Sequence, residues 1–176
     1  LFLSSKSKIL IEMSHDSIKY FKKFSKINNV HLLLGSIPIT ENDKLFNRSI
    51  LINPDGDIIS IYDKIHMFDI TLKNGESYKE SDFYSPGSEL KITKVSGHSV
   101  GHTICYDLRY PKLYRALAKK GSQIIVVPSA FTHTTGKAHW HSLIKARAIE
   151  NGVFILAPNQ WGVNNEKRVT YGHTLI

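Results

Sequence analysis

Three apolar runs in the second half of the chain are separated by two helix-forming runs. This alternation narrows the fold more than any other feature. "HSVGHTICY" (98–106), "SQIIVVPSA" (122–130) and "VFILAPN" (153–159) are rich in β-branched and aliphatic residues and continuous rather than alternating. Such strands suit a sheet covered on both faces. Between the first two, a helix opens with Pro111 at its first position, turns Leu113, Tyr114 and Leu117 inward, and closes at Gly121. Between the last two, "KAHWHSLIKARAIENG" reads as a helix with Trp140, Leu143, Ile144 and Arg147 on neighbouring faces, closed by Gly152.

The first half is different. Ser14 can cap a helix along which Ile18, Phe21 and Phe24, with Ile27, recur at helical spacing until Asn28 and Asn29 stop it. "VHLLLGSIPI" suits a buried strand ended by Pro38. "RSILINPDGDIISIYDK" reads as two strands around Pro54-Asp55-Gly56, and "LKITKV" pairs with "HSVGHTICY" across a turn near Ser96-Gly97. Residues 69–88 are polar and turn-rich and read as a long loop, a feature that in a compact domain is usually functional. No repeat, low-complexity tract or linker divides the 176 residues, so one domain, 1–176, is expected.

Composition matters for partners. Lys+Arg exceed Asp+Glu by 23 − 15, giving +8, but the lysines are scattered and no zinc-finger spacing is present. The charge therefore favours tolerance of anionic substrates over a nucleic-acid surface. One cysteine cannot form an internal disulfide, which suits a reducing, cytoplasmic setting. No apolar stretch approaches a membrane span, and "LFLSSKSKILIEMS" lacks the apolar centre of a signal peptide. The start at Leu1 and the strand-like "TYGHTLI" at the end read as cuts from something longer.

That one cysteine, Cys105, stands where a strand gives way to a helix. An elbow of this kind exposes a nucleophile and sets backbone N–H groups beside it. A free thiol has a pKa of about 8.5, so a nearby cation is needed to raise its thiolate share. A buried, inert cysteine is the competing reading. Lys64, at the end of a hairpin strand and flanked by Tyr62, His66 and Phe68, is either a solvated end charge or such a cation. Glu76 and Glu80 in the long loop are surface carboxylates by default.

Taken together, "YDKIHMFD", "GHTICYDLRYP" and "FTHTTGKAHWHSLIKARAIENGVFILAPNQWG", continued by "EKRVTYGHTLI", resemble the nitrilase or carbon–nitrogen hydrolase superfamily, nearest its Nit-type amidases. The resemblance runs through nearly the whole chain and rests on several motifs in order. It implies an α/β fold, the four-layer α-β-β-α sandwich, here incomplete at both termini. It implies a Glu-Lys-Cys site in which Cys105 is the nucleophile and Lys64 the lysine, while Glu80, in "KES" before "SPG", is a second glutamate that supports lysine and substrate.

Lys64 and the backbone N–H of Tyr106 would hold the oxyanion, and Phe131, Thr132, Asn159 and Gln160 would face substrate. The implied reaction is thiolate attack on an amide carbonyl, loss of ammonia and hydrolysis of a thioester. A small carboxamide is the implied partner, within a homodimer or higher homo-oligomer, with no cofactor, metal, nucleic acid or membrane. The branch that clears deaminated glutathione fits best, because of "AHWHSLIKARAIEN" followed by "EKRVTYGH". The family's general-base glutamate belongs in a segment upstream of the first helix. Glu12 lies beyond that position and does not take the role. An inactive remnant kept as a binding or scaffold module is therefore the alternative.

The remaining candidates carry plainer expectations. Asp107 and Arg109 orient the elbow, Thr135 joins Thr132 near the pocket, and Trp140 is core or interface. Arg147 and Glu150 form a helix ion pair. His139 and His141 do not share a helical face and make a poor metal pair. Arg168 and His173 support the site or contact substrate.

Overall fold

In the computed structural model, the residues described are 15–71, 75, 77–165 and 168–176. Ser14, Glu12 and Glu76 lie outside them. Contacts divide the chain into two compact units, Leu1–Glu89 and Leu90–Ile176. Both mix helix and strand, so the α/β class holds.

The first unit carries helix α1 (His15–Asn28) and the antiparallel strands β1 (Leu32–Glu41), β2 (Lys44–Ile52) and β3 (Ile58–Asp63), in spatial order β1-β2-β3. Ile18 and Phe21 of α1 pack on Leu34, Ile50 and Ile52. Phe24 and Ile27, expected on the same inward stripe, are exposed instead. The central strand β2 is buried along most of its length, as a strand with neighbours on both sides should be.

Strand β1 runs through Pro38, which faces Asn47, rather than ending there. Proline is tolerated because β1 is an edge strand, where a missing N–H need not break a ladder. The β2–β3 turn closes with Gly56 at φ 84°, and a Cβ there would stand 2.9 Å from the Lys22 carbonyl oxygen.

Part of the expected long loop forms regular elements. Strands β4 (Asp69–Thr71) and β5 (Ser77–Lys79) pair antiparallel, and a 3₁₀ turn (Glu80–Asp82) follows. Strands this short have too few residues for an apolar alternation to register in the sequence.

The second unit holds β6 (Ile92–Val95), β7 (His98–His102), helix α2 (Pro111–Lys119), β8 (Ile124–Val126), helix α3 (His133–Asn151), β9 (Phe154–Leu156), and the pair β10 (Trp161–Asn165) and β11 (Arg168–Tyr171). The main sheet has the order β6-β7-β8-β9, with β6 antiparallel and the rest parallel. The β6–β7 turn is Ser96-Gly97, both at positive φ, as a two-residue hairpin requires. Helix α3 begins four residues before the expected start at Lys137, because Thr132 caps it. Gly136 fits inside that first stretch because the Tyr171 ring lies where a Cβ would project. No helix among the described residues is long and apolar enough to cross a membrane.

Candidate active site

In the first unit the main-chain bonds of β2 and β3 bring Lys64 to the end of the hairpin, where its N–H donates to the Asn47 carbonyl at 2.9 Å. Its side chain is 0% exposed. This excludes the reading of Lys64 as a solvated end charge. The ammonium meets Glu80 Oε2 at 2.5 Å, and Glu80 is itself only 2% exposed. The same oxygen accepts the Phe68 backbone N–H at 2.7 Å. Glu80 Oε1 accepts Asn47 Nδ2 at 2.8 Å, and Asn47 Oδ1 accepts the Ser36 hydroxyl at 2.7 Å.

Glu80 is therefore no ordinary surface carboxylate. Burying two charges is costly unless they are paired and hydrogen-bonded, and here they are both. Tyr84 follows in the same turn, its N–H on the Glu80 carbonyl at 2.9 Å. Burial raises the Tyr84 phenol above its ordinary range, with a smaller push from the Glu80 charge. Lys64 and Glu80 were visible as candidates in the sequence. Asn47 was not, although a polar residue inside "KLFNRSILI" is the kind of signal that marks a buried polar role.

In the second unit, Cys105 opens a 3₁₀ turn, Cys105–Arg109, three residues after β7 ends. Its φ is 48°, a left-handed conformation uncommon for a residue with a Cβ. The elbow is held on both sides. The Cys105 N–H donates to the Pro128 carbonyl at 3.0 Å, and the Ile104 N–H donates to Asp107 Oδ2 at 2.9 Å. Asp107 is fully buried, so it orients the elbow as expected. The thiol is buried and free of any disulfide.

Tyr106 stacks edge-on with Tyr110, and the Arg109 guanidinium carbon lies 5.8 Å from the ring centres of both Tyr106 and Phe131. Arg109 also reaches His139 Nδ1 at 3.2 Å.

The other candidates are occupied with the scaffold. Phe131 is buried against Trp140, with ring centres 4.9 Å apart. Asn159 Oδ1 accepts the Phe131 N–H at 3.1 Å, while Asn159 Nδ2 donates to the Gly172 carbonyl at 2.5 Å. Asn159 thus ties two segments of backbone together. The Thr132 hydroxyl caps α3, bonded to the Thr135 hydroxyl at 2.8 Å. Gln160 is exposed and donates to Asn164 Oδ1 at 2.6 Å.

The plainer expectations hold for Trp140, fully buried with its indole N–H on the His173 carbonyl, and for the Arg147–Glu150 pair at 3.1 Å. Arg147 also donates to the Leu108 carbonyl, so it anchors the elbow from α3. Arg168 donates to the Ala130 carbonyl, and His173 stacks on Tyr171. Among the described residues no cluster of His, Cys, Asp and Glu could hold a metal ion.

Comparison with known proteins gives this arrangement a context. The family model described as "Carbon-nitrogen hydrolase" matches residues 5–176. A deaminated glutathione amidase of Yersinia enterocolitica is 42% identical over 158 residues, covering 88% of this chain and 55% of the relative. The crystal structure of the C. elegans NitFhit protein superposes with a TM-score of 0.85 at 34% identity, covering 91% of this chain and 40% of that one. Saccharomyces cerevisiae Nit3, a member of branch 10 of the nitrilase superfamily, superposes at 0.80 with 31% identity, covering 90% of this chain and 56% of that one. The chain spans about half the length of the curated relatives it matches. None of these findings favours the inactive-remnant alternative.

Proposed function

The chain belongs to the carbon–nitrogen hydrolase family, and from that premise we propose that it carries the nucleophile and the cation of an amidase that releases ammonia from a small carboxamide. The observation that carries this reading is the backbone of Cys105. A non-glycine residue is held at φ 48° at a strand-to-turn elbow by bonds from both neighbouring segments. Strain of this kind persists only where the surroundings over-determine it, and it clusters at active sites.

In the proposed reaction, Cys105 Sγ attacks the carbonyl carbon and the carbonyl π electrons move to oxygen. The oxyanion is stabilised by the Lys64 ammonium and the Tyr106 backbone N–H. The tetrahedral species collapses, the C–N bond breaks, and nitrogen leaves as ammonia after taking the proton that the thiol gave up. A carboxylate must carry that proton, the role the resemblance gives to a glutamate upstream of α1. Water then adds to the thioester, the C–S bond breaks, and a carboxylic acid is released. Overall, amide and water give acid and ammonia. Glu80 does not react in this scheme. It holds the Lys64 ammonium in place.

The name of the Yersinia relative and the branch suggested by the motifs both favour deaminated glutathione as substrate. That molecule is an anion, which a chain of formal charge +8 does not repel. A cytoplasmic setting and a homo-oligomeric state belong to the same proposal. The test is ammonia release from deaminated glutathione and a panel of small ω-amides by a form of the protein that carries the glutamate the resemblance places upstream of α1. The expected result is turnover that is lost in Cys105→Ala. Turnover unchanged in Cys105→Ala, or none with any amide, refutes it.

A further inference from the structure

Glu80 has two carboxylate oxygens, and they are not equivalent. Oε2 takes both the Lys64 ammonium and the Phe68 N–H, while Oε1 takes the Asn47 amide. A carboxylate can only accept, so Asn47 must turn its NH₂ toward Glu80 and its carbonyl away. The carbonyl then needs a donor, and the Ser36 hydroxyl supplies it. The direction of every bond from Ser36 to Glu80 is thereby fixed.

The backbone is shaped to make this chain possible. The β1–β2 register slips between Leu34 and Ile37, so Gly35 and Ser36 together oppose Ser49. An extra residue of this kind re-aims the side chains beside it, and such bulges recur next to active sites. Asn47 also accepts the Lys64 backbone N–H through its own carbonyl. One residue therefore touches the backbone of the lysine and the side chain of the lysine's partner.

We infer that Asn47, oriented by Ser36 from the β1 bulge, is a positioning residue that sets the rotation of the Glu80 carboxylate so that Oε2 faces Lys64. The inference rests on the amidase reading above. Without the Asn47 amide, Glu80 turns to satisfy Oε1 and the ammonium loses its fixed place.

The test is alkylation of Cys105 in the whole protein by 2-chloroacetamide, itself a small amide, followed by intact mass and resolved into a maximal rate and a half-saturating concentration. Thermal unfolding is measured alongside. Asn47→Leu keeps the side-chain size and is expected to lower the maximal rate about tenfold or more, the loss typical of a hydrogen bond to a charged group, with half-saturation unchanged.

Ser36 is exposed, so Ser36→Ala folds. It is expected to lower the maximal rate by a smaller factor, about threefold, and Ser36→Thr restores it. A purely structural role would move the unfolding temperature and leave the maximal rate alone, and that result overturns the inference. Lys64→Ala separates the two layers. If it slows alkylation and neither Asn47→Leu nor Ser36→Ala does, only the positioning role falls. If Lys64→Ala has no effect, the amidase reading and this inference fall together.

Discussion

The two units hold their candidate functional residues in different ways. In the first, a lysine and a glutamate that are almost wholly buried are tied to Asn47 and the Phe68 N–H. In the second, the proposed nucleophile is placed by its backbone. Cys105 sits at a strained φ, and three residues earlier, at the end of β7, His102 is buried with Nδ1 bearing no hydrogen bond. The lesson concerns how a fold holds a reactive group. A charge is held by partners, and a thiol, which makes only weak hydrogen bonds, is held by the chain that carries it.

The largest expected break is in the first unit. Glu80→Ala strands a buried cation, and removing one member of a buried pair costs about 3–5 kcal/mol. The double variant Lys64→Met/Glu80→Leu removes both charges and is expected to cost clearly less. Urea unfolding of the two variants checks the ordering.

The next effect sharpens the contrast from the second unit. Burial pushes the His102 imidazole down to about 4, with a smaller push from the charge of Lys91. An unfolded histidine titrates near 6.5. The folded state therefore binds fewer protons than the unfolded state between these values. The contribution of His102 is fully present above about pH 6.5 and is lost as pH falls toward about 4, up to about 3 kcal/mol. Unfolding measured across that window is expected to show the loss, and His102→Gln to flatten it. His102 Nε2 keeps its contact with the Thr93 hydroxyl at 3.1 Å, so the acid sensitivity belongs to Nδ1 and burial.

The smallest effect concerns the elbow. Glycine adopts positive φ without the Cβ penalty. Cys105→Gly is expected to be more stable than Cys105→Ala by about 0.5–1 kcal/mol, while neither can be alkylated. Equal stability of the two variants would mean that the elbow carries no strain.

Much of the candidate site was legible in the sequence. Cys105 was marked by the apolar run before it and Pro111 after it, and α2 begins at that proline. The Ser96-Gly97 and Pro54-Asp55-Gly56 turns were legible because their backbone needs particular residues. Other features depend on contacts distant in sequence. Whether Lys64 is solvated or buried turns on Glu80, 16 residues away, and on a strand pair too short to leave a pattern. Thr132 looked like a pocket residue and is a helix cap, because the sequence "HTTG" hides the first turn of α3 behind poor helix formers. Asn159 was expected at substrate and spends both ends of its amide on backbone. Ser36 was missed, since a bulge in an edge strand leaves no periodic signal, and Asn47 was missed because its partner Glu80 is 33 residues away.

The central claim is that Cys105 is a nucleophile served by Lys64. The most direct measurement is the second-order rate of Cys105 alkylation by iodoacetamide at neutral pH, beside a free cysteine peptide and the Lys64→Ala variant. The account predicts a rate at least about tenfold above the peptide, falling to or below the peptide's rate in the variant. A rate in the unaltered protein no faster than that of the peptide, and indifferent to Lys64→Ala, would contradict it.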